Sequence, residues 1–448
     1  MLCSIIEFVD FHASMRKWPR WRALLPLLAG IAIAAAFIGL NHSAYDGFFQ
    51  DDELDNLRWW TPAQPALKFV GGLLSPAYQT DNFRPVGHLY FALMGRTFGL
   101  DFAPYMTPIF VIHLLNGLLL WLLMRKLGVR QWCAMAAVAF FALSAIAFDA
   151  YWKPMYVFDL LCTTFSLTSV LLYAHRRWVL SFIAFWLAYK AKELAVMLPA
   201  VLAAYEYWFG ERKFKVLIPF ALASLNFGIQ GIVRNPNGDN EYTFRFTLDA
   251  LRHTLPFYAR RLLMFPLSGF LLFALALIRD RRIWFGLAST SLFLVPLMFL
   301  PGRLYEAYAY LPLACAAIAV AAFASRWNPI WIWIALAIWM PLNFRQLSQE
   351  RRAKLDLDDQ VFSFVDTLGK FAGRNPDIVT FVYDGVPPGF HDWGVAGAWN
   401  VVHHRIDLPA LFSGWPEGRK ALAQQTVAYG SWDYQRRQLT ISLRSPVP

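Results

Sequence analysis

Long apolar segments joined by short polar connections fill the chain between residues 23 and 343. A helix of roughly 17 to 22 apolar residues crosses the ~30 Å hydrocarbon layer of a membrane. About 11 segments fit this pattern, some of them short: residues 23–40, 104–124, 132–148, 155–173, 178–189, 194–209, 216–233, 262–278, 283–300, 308–323 and 330–343. The pattern predicts an all-α polytopic membrane protein.

Composition supports this class, since 58% of the residues are apolar and only 16% are charged. The net charge of +11 comes from short Lys and Arg clusters between apolar segments, which argues against nucleic-acid binding. The clusters fall at every second connection, as the positive-inside rule requires. We therefore expect residues 1–22 in the cytoplasm, a retained first span, and both the loop 41–103 and the tail 344–448 in the periplasm of a bacterial inner membrane.

Two segments have the spacing of amphipathic helices that lie at a membrane surface. The first, at residues 86–98, belongs to the long external loop, and the second covers residues 247–261. Pro256 lies inside the second segment and is expected to bend or break it.

The tail changes to a mixed composition after Arg345. An amphipathic helix is expected at residues 356–370, followed by short apolar runs at 378–383, 399–403 and 439–443 between Gly and Pro residues. We predict a small α/β domain outside the membrane. His391, His403 and His404 are candidate metal ligands, but neighbours on a strand point to opposite faces, which favours surface histidines and no metal site.

Charged and aromatic residues gather where the predicted spans meet the outer surface. Carboxylates beside a span are costly unless they have a task. The residues concerned are Asp46, Asp51, Asp52, Glu53, Arg84, His88, Asp149, Tyr151, Trp152, Lys153, Lys190, Lys192, Glu193, Arg234, Arg303, Glu306, Tyr308 and Tyr310. The cytoplasmic connections carry mostly Lys and Arg, so chemistry is expected on the outer face.

This combination suits the transfer of a sugar from a lipid-linked donor. A carboxylate can take the proton of an acceptor hydroxyl, while Lys and Arg stabilise the charge that develops on the leaving phosphate. Taken singly, each residue also has an ordinary explanation, as a boundary cation, an interfacial aromatic or a local ion pair such as Lys192 with Glu193.

Several motifs together resemble the GT-C superfamily of polyprenyl-phosphate-sugar-dependent glycosyltransferases. The motifs particularly resemble those of bacterial relatives of the protein O-mannosyltransferases and of the transmembrane mannosyltransferases with tetratricopeptide repeats. The matching motifs, in chain order, are Phe49-Gln50-Asp51-Asp52, Phe83-Arg84-Pro85-Val86, His113-Leu114-Leu115-Asn116, Asp149-Ala150-Tyr151-Trp152, Asp159-Leu160-Leu161, Lys192-Glu193, and Glu306-Ala307-Tyr308-Ala309-Tyr310-Leu311-Pro312.

The resemblance implies a GT-C-like membrane domain and an inverting transfer to an acceptor hydroxyl on a glycan, lipid or protein. Asp51 or Asp52 is the expected general base. Arg84, Lys153, Lys192 and Arg303 are expected around the lipid phosphate. Asp149 is a second acid that orients the acceptor or, as an open alternative, holds a divalent cation; no other cofactor is expected. The remaining expected substrate-binding residues are His88, Trp152, Glu193, Glu306, Tyr308 and Tyr310.

Two positions depart from the family pattern, since Val157 and Ala307 stand where the family has arginines. The sequence therefore leaves two alternatives open beside the transferase. One is a transporter or flippase for a lipid-linked glycan, and the other is a non-catalytic membrane protein of envelope assembly.

Overall fold

The computed structural model describes residues 20–77, 82–233, 241–263 and 268–446. Predictions for residues 1–19, for Arg234 and for residues 264–267 lie outside the described residues.

The first half of the chain is helical throughout. Its helices are α1 (Arg20–Asn41), α2 (Asp51–Trp60), α3 (Ala66–Leu74), α4 (Pro85–Phe98), α5 (Ala103–Lys126), α6 (Gln131–Leu143), α7 (Phe148–Trp152), α8 (Val157–Ala174), α9 (Trp178–Ala191), α10 (Leu198–Trp208) and α11 (Ile218–Val233). Short 3₁₀ turns lie at His42–Asp46, Ala145–Ala147, Pro154–Tyr156, Glu193–Met197 and Phe214–Leu217.

The second half adds the remaining helices and a small sheet. They are α12 (Leu248–Leu263), α13 (Ser268–Ala274), α14 (Arg281–Met298), α15 (Tyr310–Ala324), α16 (Ile330–Arg374), β1 (Phe381–Asp384), α17 (Asp392–Val402), β2 (Ala410–Phe412), α18 (Pro416–Gln424), β3 (Val427–Asp433) and β4 (Gln438–Arg444). Two further 3₁₀ turns lie at Leu275–Leu277 and Glu306–Ala309.

In the part of the chain that the structure describes, six helices are long and apolar enough to cross a membrane, or seven if the bent pair of α6 and α7 is one span. The predicted class, a mostly helical membrane protein with a small sheet in its tail, is confirmed. The predicted number of about 11 spans is not. For example, α9 has only 14 residues and α10 only 11, shorter than the hydrocarbon layer requires.

The helices differ in what they pack against. The α8 and α15 helices are mostly buried inside the bundle, whereas α1 and α11 expose most of their apolar side chains. Leu27, Ile31 and Leu222, for example, are more than half exposed. Such surfaces are favourable only next to lipid, so these two helices lie at the periphery of the bundle.

The bend between α6 and α7 is stabilised by a side chain from α16. The chain turns by 49° after Leu143, which frees backbone groups from the helix ladder. Asn343 satisfies two of them, because its Oδ1 accepts the Ala145 N–H at 2.7 Å and its Nδ2 donates to the Leu143 carbonyl at 2.7 Å. The bend delivers the short helix α7, with Asp149, to the end of the bundle.

Both predicted surface helices are present. The α4 helix exposes Leu89, Leu93 and Phe98. The α12 helix continues through Pro256 without ending, so the expected break does not occur. Thr254 Oγ1 donates to the Met298 carbonyl at 2.9 Å and ties α12 to the end of α14.

The tail is joined to the bundle by α16, whose 45 residues continue across the predicted domain boundary at residue 344. The sheet has the order β2-β1-β3-β4, in which β1 is parallel to β2 and β3, and β4 is antiparallel to β3. The predicted strands at 378–383 and 439–443 overlap β1 and β4. The predicted strand at 399–403 is wrong, because residues up to Val402 belong to α17.

The tail packs on the bundle through α17 and α2. A Cβ added at Gly397 would come within 2.6 Å of the Asp55 N and Leu54 C atoms, and one at Gly394 within 2.6 Å of the Asp51 Oδ1. The two helix backbones therefore approach as closely as glycine permits. This contact places the start of α17 against the start of α2.

Candidate active site

The acidic motif forms the first turn of α2. Gln50 is the N-cap residue, and its backbone N–H donates to the Glu53 Oε2 at 2.6 Å in a capping box. Asp51, Asp52 and Glu53 occupy the first turn, where carboxylates interact favourably with the free N–H groups and the helix dipole. Local sequence therefore fixes where the three acids lie.

Asp51 and Asp52 both contact the tail, but to different extents. Asp51 accepts the His391 backbone N–H through Oδ1 at 2.7 Å, and its Oδ2 lies 2.8 Å from the His391 Nδ1. Among the described residues, the Asp52 carboxylate accepts one hydrogen bond, from the Trp393 Nε1–H to Oδ1 at 2.7 Å. Both oxygens of Asp51 are thus engaged in docking the tail. Asp52 keeps one carboxylate oxygen for other partners.

A buried network lies beneath these two acids. Glu53 is almost fully buried, and its Oε1 accepts the Met155 N–H at 3.3 Å. Lys153 donates to the Gln50 side chain, and Gln50 donates to Asp358 on α16. Burial raises the pKa of Glu53 from 4.5 to about 7, although the charge of Lys153 opposes this. Lys153 is therefore held in this network.

Lys192 and Glu193 point to different sides because the chain is extended between α9 and the following turn. Lys192 has φ −159° and ψ 144°. Its Nζ donates to both oxygens of Asp159, at 2.5 and 2.6 Å. Glu193 accepts the Arg84 Nε–H at 2.9 Å. Burial favours the neutral form of Glu193, but Arg84 outweighs it and keeps the pKa of that carboxyl below its ordinary value.

Tyr308 connects two of the predicted cations. The Lys192 Nζ lies 3.9 Å from the centre of the Tyr308 ring, and the Arg303 Nη2 donates to the Tyr308 hydroxyl at 3.1 Å. Cations at these positions are stabilised by the ring face and by the hydroxyl oxygen. Among the described residues, the carboxylate paired with Arg303 is that of the exposed Glu241, at 3.7 Å. This distance is longer than the Arg84–Glu193 and Lys192–Asp159 contacts.

Asp149 and Glu306 each pair with a different cation from those around Tyr308. Asp149 Oδ1 is 3.4 Å from the Lys354 Nζ, and Glu306 Oε1 is 2.5 Å from the Arg261 Nη2. Both acids are therefore held by basic side chains of α16 and α12.

Comparison with solved structures identifies the architecture. No protein-family model matches the sequence, and no curated protein does. ArnT from Cupriavidus metallidurans in the apo state aligns with a TM-score of 0.50 at 12% identity, over 90% of this chain and 93% of that chain. ArnT bound to undecaprenyl phosphate aligns at 0.48 and 13% identity, over 92% and 94%. The mycobacterial arabinofuranosyltransferase AftD aligns at 0.49 and 14%, over 85% of this chain and 31% of its own.

This chain has the GT-C fold. The resemblance seen in its motifs is therefore confirmed at the level of the fold. Together with the six or seven long apolar helices among the described residues, this fold makes the chain a multi-pass membrane protein.

Three residues predicted for the site are buried in packing contacts. His88 stacks with both Trp60 and Phe83, which also stack with each other, and its Nδ1 accepts the Arg84 N–H at 2.9 Å. Burial and then Arg84 lower the pKa of His88 well below its ordinary value, which keeps the ring neutral. Tyr310 is buried in the bundle, with its hydroxyl 2.7 Å from His113 Nδ1. Trp152 is 2% exposed and stacks on Phe148.

Asp159 belongs to one of the family-like motifs but is not among the predicted site residues, although it is the partner of Lys192. Its signal was an acid near the start of an apolar span, which is costly without a partner. The contacts of His391, Trp393 and Glu241 had no such signal, because each joins residues that are distant in the chain. The Arg303 Cζ also lies 4.2 Å from the centre of the Tyr242 ring and 4.7 Å from the centre of the Tyr305 ring.

The candidate site thus combines one partly free carboxylate, Asp52, with cations gathered around one tyrosine. Within the described residues, no group of three or more His, Cys, Asp or Glu side chains is arranged to hold a metal ion. The arrangement can accept a proton at one place and stabilise negative charge at another.

Proposed function

We propose that this protein is a glycosyltransferase that moves a sugar from a polyprenyl-phosphate donor to an acceptor hydroxyl on the periplasmic side of a bacterial inner membrane. The main support is the gathering of Lys192 and Arg303 on Tyr308, next to the Arg84–Glu193 pair. Anionic phosphate is the ligand that suits such a group of donors. The GT-C fold supplies the scaffold for this chemistry.

In the proposed reaction the acceptor oxygen attacks the anomeric carbon of the sugar. The bond between that carbon and the phosphate oxygen breaks, and its electron pair leaves with the polyprenyl phosphate. Asp52 takes the proton of the acceptor hydroxyl, and Arg84, Lys192 and Arg303 stabilise the charge on the departing phosphate. Attack opposite the leaving group inverts the configuration of the anomeric carbon.

We assign the base to Asp52 rather than to Asp51. Both Asp51 oxygens have partners on His391, whereas Asp52 has one partner, Trp393. The Trp393 N–H fixes the orientation of the Asp52 carboxylate without removing its charge. Asp149, which is paired with Lys354, is assigned to orient the acceptor.

The two missing family arginines do not leave the proposed phosphate site without cations. Val157 and Ala307 are both fully buried, and the guanidinium of Arg303 reaches Tyr308, the residue directly after Ala307. Lys153 is left out of the phosphate site because its ammonium group is bound to Gln50.

The proposal is tested with purified protein and labelled lipid-linked sugars extracted from bacterial membranes. We expect wild-type protein to consume a labelled donor and release polyprenyl phosphate. Arg303→Gln should lower kcat/KM by roughly 10²-fold, the scale seen when one stabilising donor is removed. The matched control is Arg252→Gln, which removes the same charge from an exposed position on α12. Lack of turnover with every lipid-linked sugar, or equal rates in both variants, would refute the proposal.

A further inference from the structure

A cavity of about 250 Å³ lies beside the Glu306–Ala309 turn, at the meeting of α12, α16 and the bend before α7. Three arginines, Arg260, Arg261 and Arg345, contribute to its wall, with Glu306, Gln346 and Gln349. The volume corresponds to roughly eight water molecules, which is room for a phosphate group and the atoms esterified to it.

The arginines outnumber the acids in this wall. Arg261 is paired with Glu306 at 2.5 Å. Over the described residues, neither Arg260 nor Arg345 has a carboxylate within ion-pair distance, although the charge of Arg260 acts on Glu306. Glu350 lies just behind the wall, where its Oε1 accepts the Gln346 Nε2–H at 2.7 Å. Two guanidinium groups thus remain for a ligand.

The position of the cavity along the helices indicates how deep in the membrane such a ligand would lie. Arg260 and Arg261 lie in the last turn of the amphipathic helix α12, and Arg345 follows the apolar part of α16. Ile146 and Leu342 complete the wall on the apolar side. A phosphate with an acyl or prenyl chain attached matches this order of basic and apolar groups, because lipid headgroups lie at the boundary between water and hydrocarbon.

The cavity shares no lining residue with the proposed donor site. Glu306 faces Arg261 in the cavity wall, whereas Tyr308, two residues later, faces Lys192 and Arg303. We propose that the cavity is a second phosphate-binding site, and that it holds the phosphate headgroup of an anionic lipid. The sequence alone had assigned none of the three arginines to a site.

The competing explanation is that the arginines only anchor the protein at the membrane surface. The two explanations are distinguished by the melting temperature of the full-length protein in detergent, measured with dioleoyl phosphatidic acid, with dioleoyl phosphatidylcholine and with inorganic phosphate. Binding is measured without sugar transfer, so this test and the test of the proposed function can fail separately. Arg260 and Arg345 are exposed, so their substitution leaves the packing of the core unchanged.

We expect phosphatidic acid, but not phosphatidylcholine, to raise the melting temperature of the wild-type protein. The double variant Arg260→Gln/Arg345→Gln should bind phosphatidic acid about tenfold or more weakly, because it lacks two charge-assisted donors. Arg252→Gln, which alters an exposed arginine outside both sites, should retain wild-type affinity. An arginine-dependent shift with inorganic phosphate alone would support the site and assign it to free phosphate. Loss of binding in Arg252→Gln, wild-type binding in the double variant, or no shift in the wild type would overturn the proposal.

Discussion

Adjacent residues with identical side chains have different surroundings at the start of α2. Asp51 is bound on both oxygens by a residue that lies 340 positions further along the chain, and Asp52 is bound on one. The sequence motif predicts both acids near the membrane surface but contains no information on which one the tail engages. The difference between the hydrogen-bond partners of Asp51 and Asp52 therefore follows from tertiary contacts alone.

Glu53 makes the stability of the folded protein depend on pH. Its pKa is raised from 4.5 to about 7 in the folded protein, mainly by burial. Folding therefore favours the protonated, neutral form of Glu53. The stabilisation that results is fully present below pH 4.5 and is lost as pH rises through 7. Over this range we expect the wild-type protein to lose up to about 3 kcal/mol of unfolding free energy.

Glu53→Gln keeps an oxygen for the Gln50 N–H and cannot ionise. We expect its melting temperature to change less than that of the wild type between pH 5 and pH 7.5, measured in the same detergent. Asp359→Asn, which alters an exposed carboxylate on α16, should follow the wild type. Equal pH dependence of wild type and Glu53→Gln would show that Glu53 does not titrate in this range.

Among the elements, the contact between α2 and α17 depends on glycine. A methyl group at Gly397 would meet backbone atoms of Leu54 and Asp55, which cannot move without moving α2. We expect Gly397→Ala to destabilise the docked tail by about 1–3 kcal/mol and to increase cleavage of the tail by added protease. Gly373→Ala in α16, where no atom lies within 4 Å of the added Cβ, is the control and should be cleaved at the wild-type rate. A protected Gly397→Ala tail would contradict this account of the contact.

Element predictions succeeded where periodicity was long and failed where an apolar run was short. The surface helices α4 and α12 follow from spacing over a dozen or more residues. In α17, Val395, Ala398, Trp399 and Val402 are buried or half-buried at helical intervals. The apolar run 399–403, which was predicted as a strand, covers only the end of this helix and is too short to show the helical spacing. The composition changes after Arg345, and the backbone of α16 continues through this change.

On the scale of the whole molecule, the GT-C fold could be expected from ordered motifs spread over the membrane domain, but the assembly of the site could not. Lys192, Arg303 and Tyr308 are brought together from different connections, and Lys153 is held in a separate network by Gln50 and, through it, Asp358. Boundary charges predict which residues share a membrane face. They do not predict which side chains pair across it.

The orientation of the molecule is a prediction of the positive-inside pattern. The described cysteines Cys133, Cys162 and Cys315 are buried. In a Cys3→Ser background, thiol labelling therefore reports the location of an added surface cysteine. We expect a membrane-impermeant maleimide to label Gln435→Cys in cells with a permeabilised outer membrane, and to label Lys126→Cys only after the inner membrane is opened. The reverse pattern would place the acids of α2 in the cytoplasm.

The central claim is that Asp52 is the base of a sugar transfer next to the cations around Tyr308. The most direct measurement compares the turnover of labelled lipid-linked sugar by purified wild-type, Asp52→Asn and Asp51→Asn proteins of equal melting temperature. We expect Asp52→Asn to lose roughly 10²–10⁴-fold in kcat, the contribution of a general base, and Asp51→Asn to lose less. Turnover by Asp52→Asn within a few fold of the wild-type rate would contradict the claim.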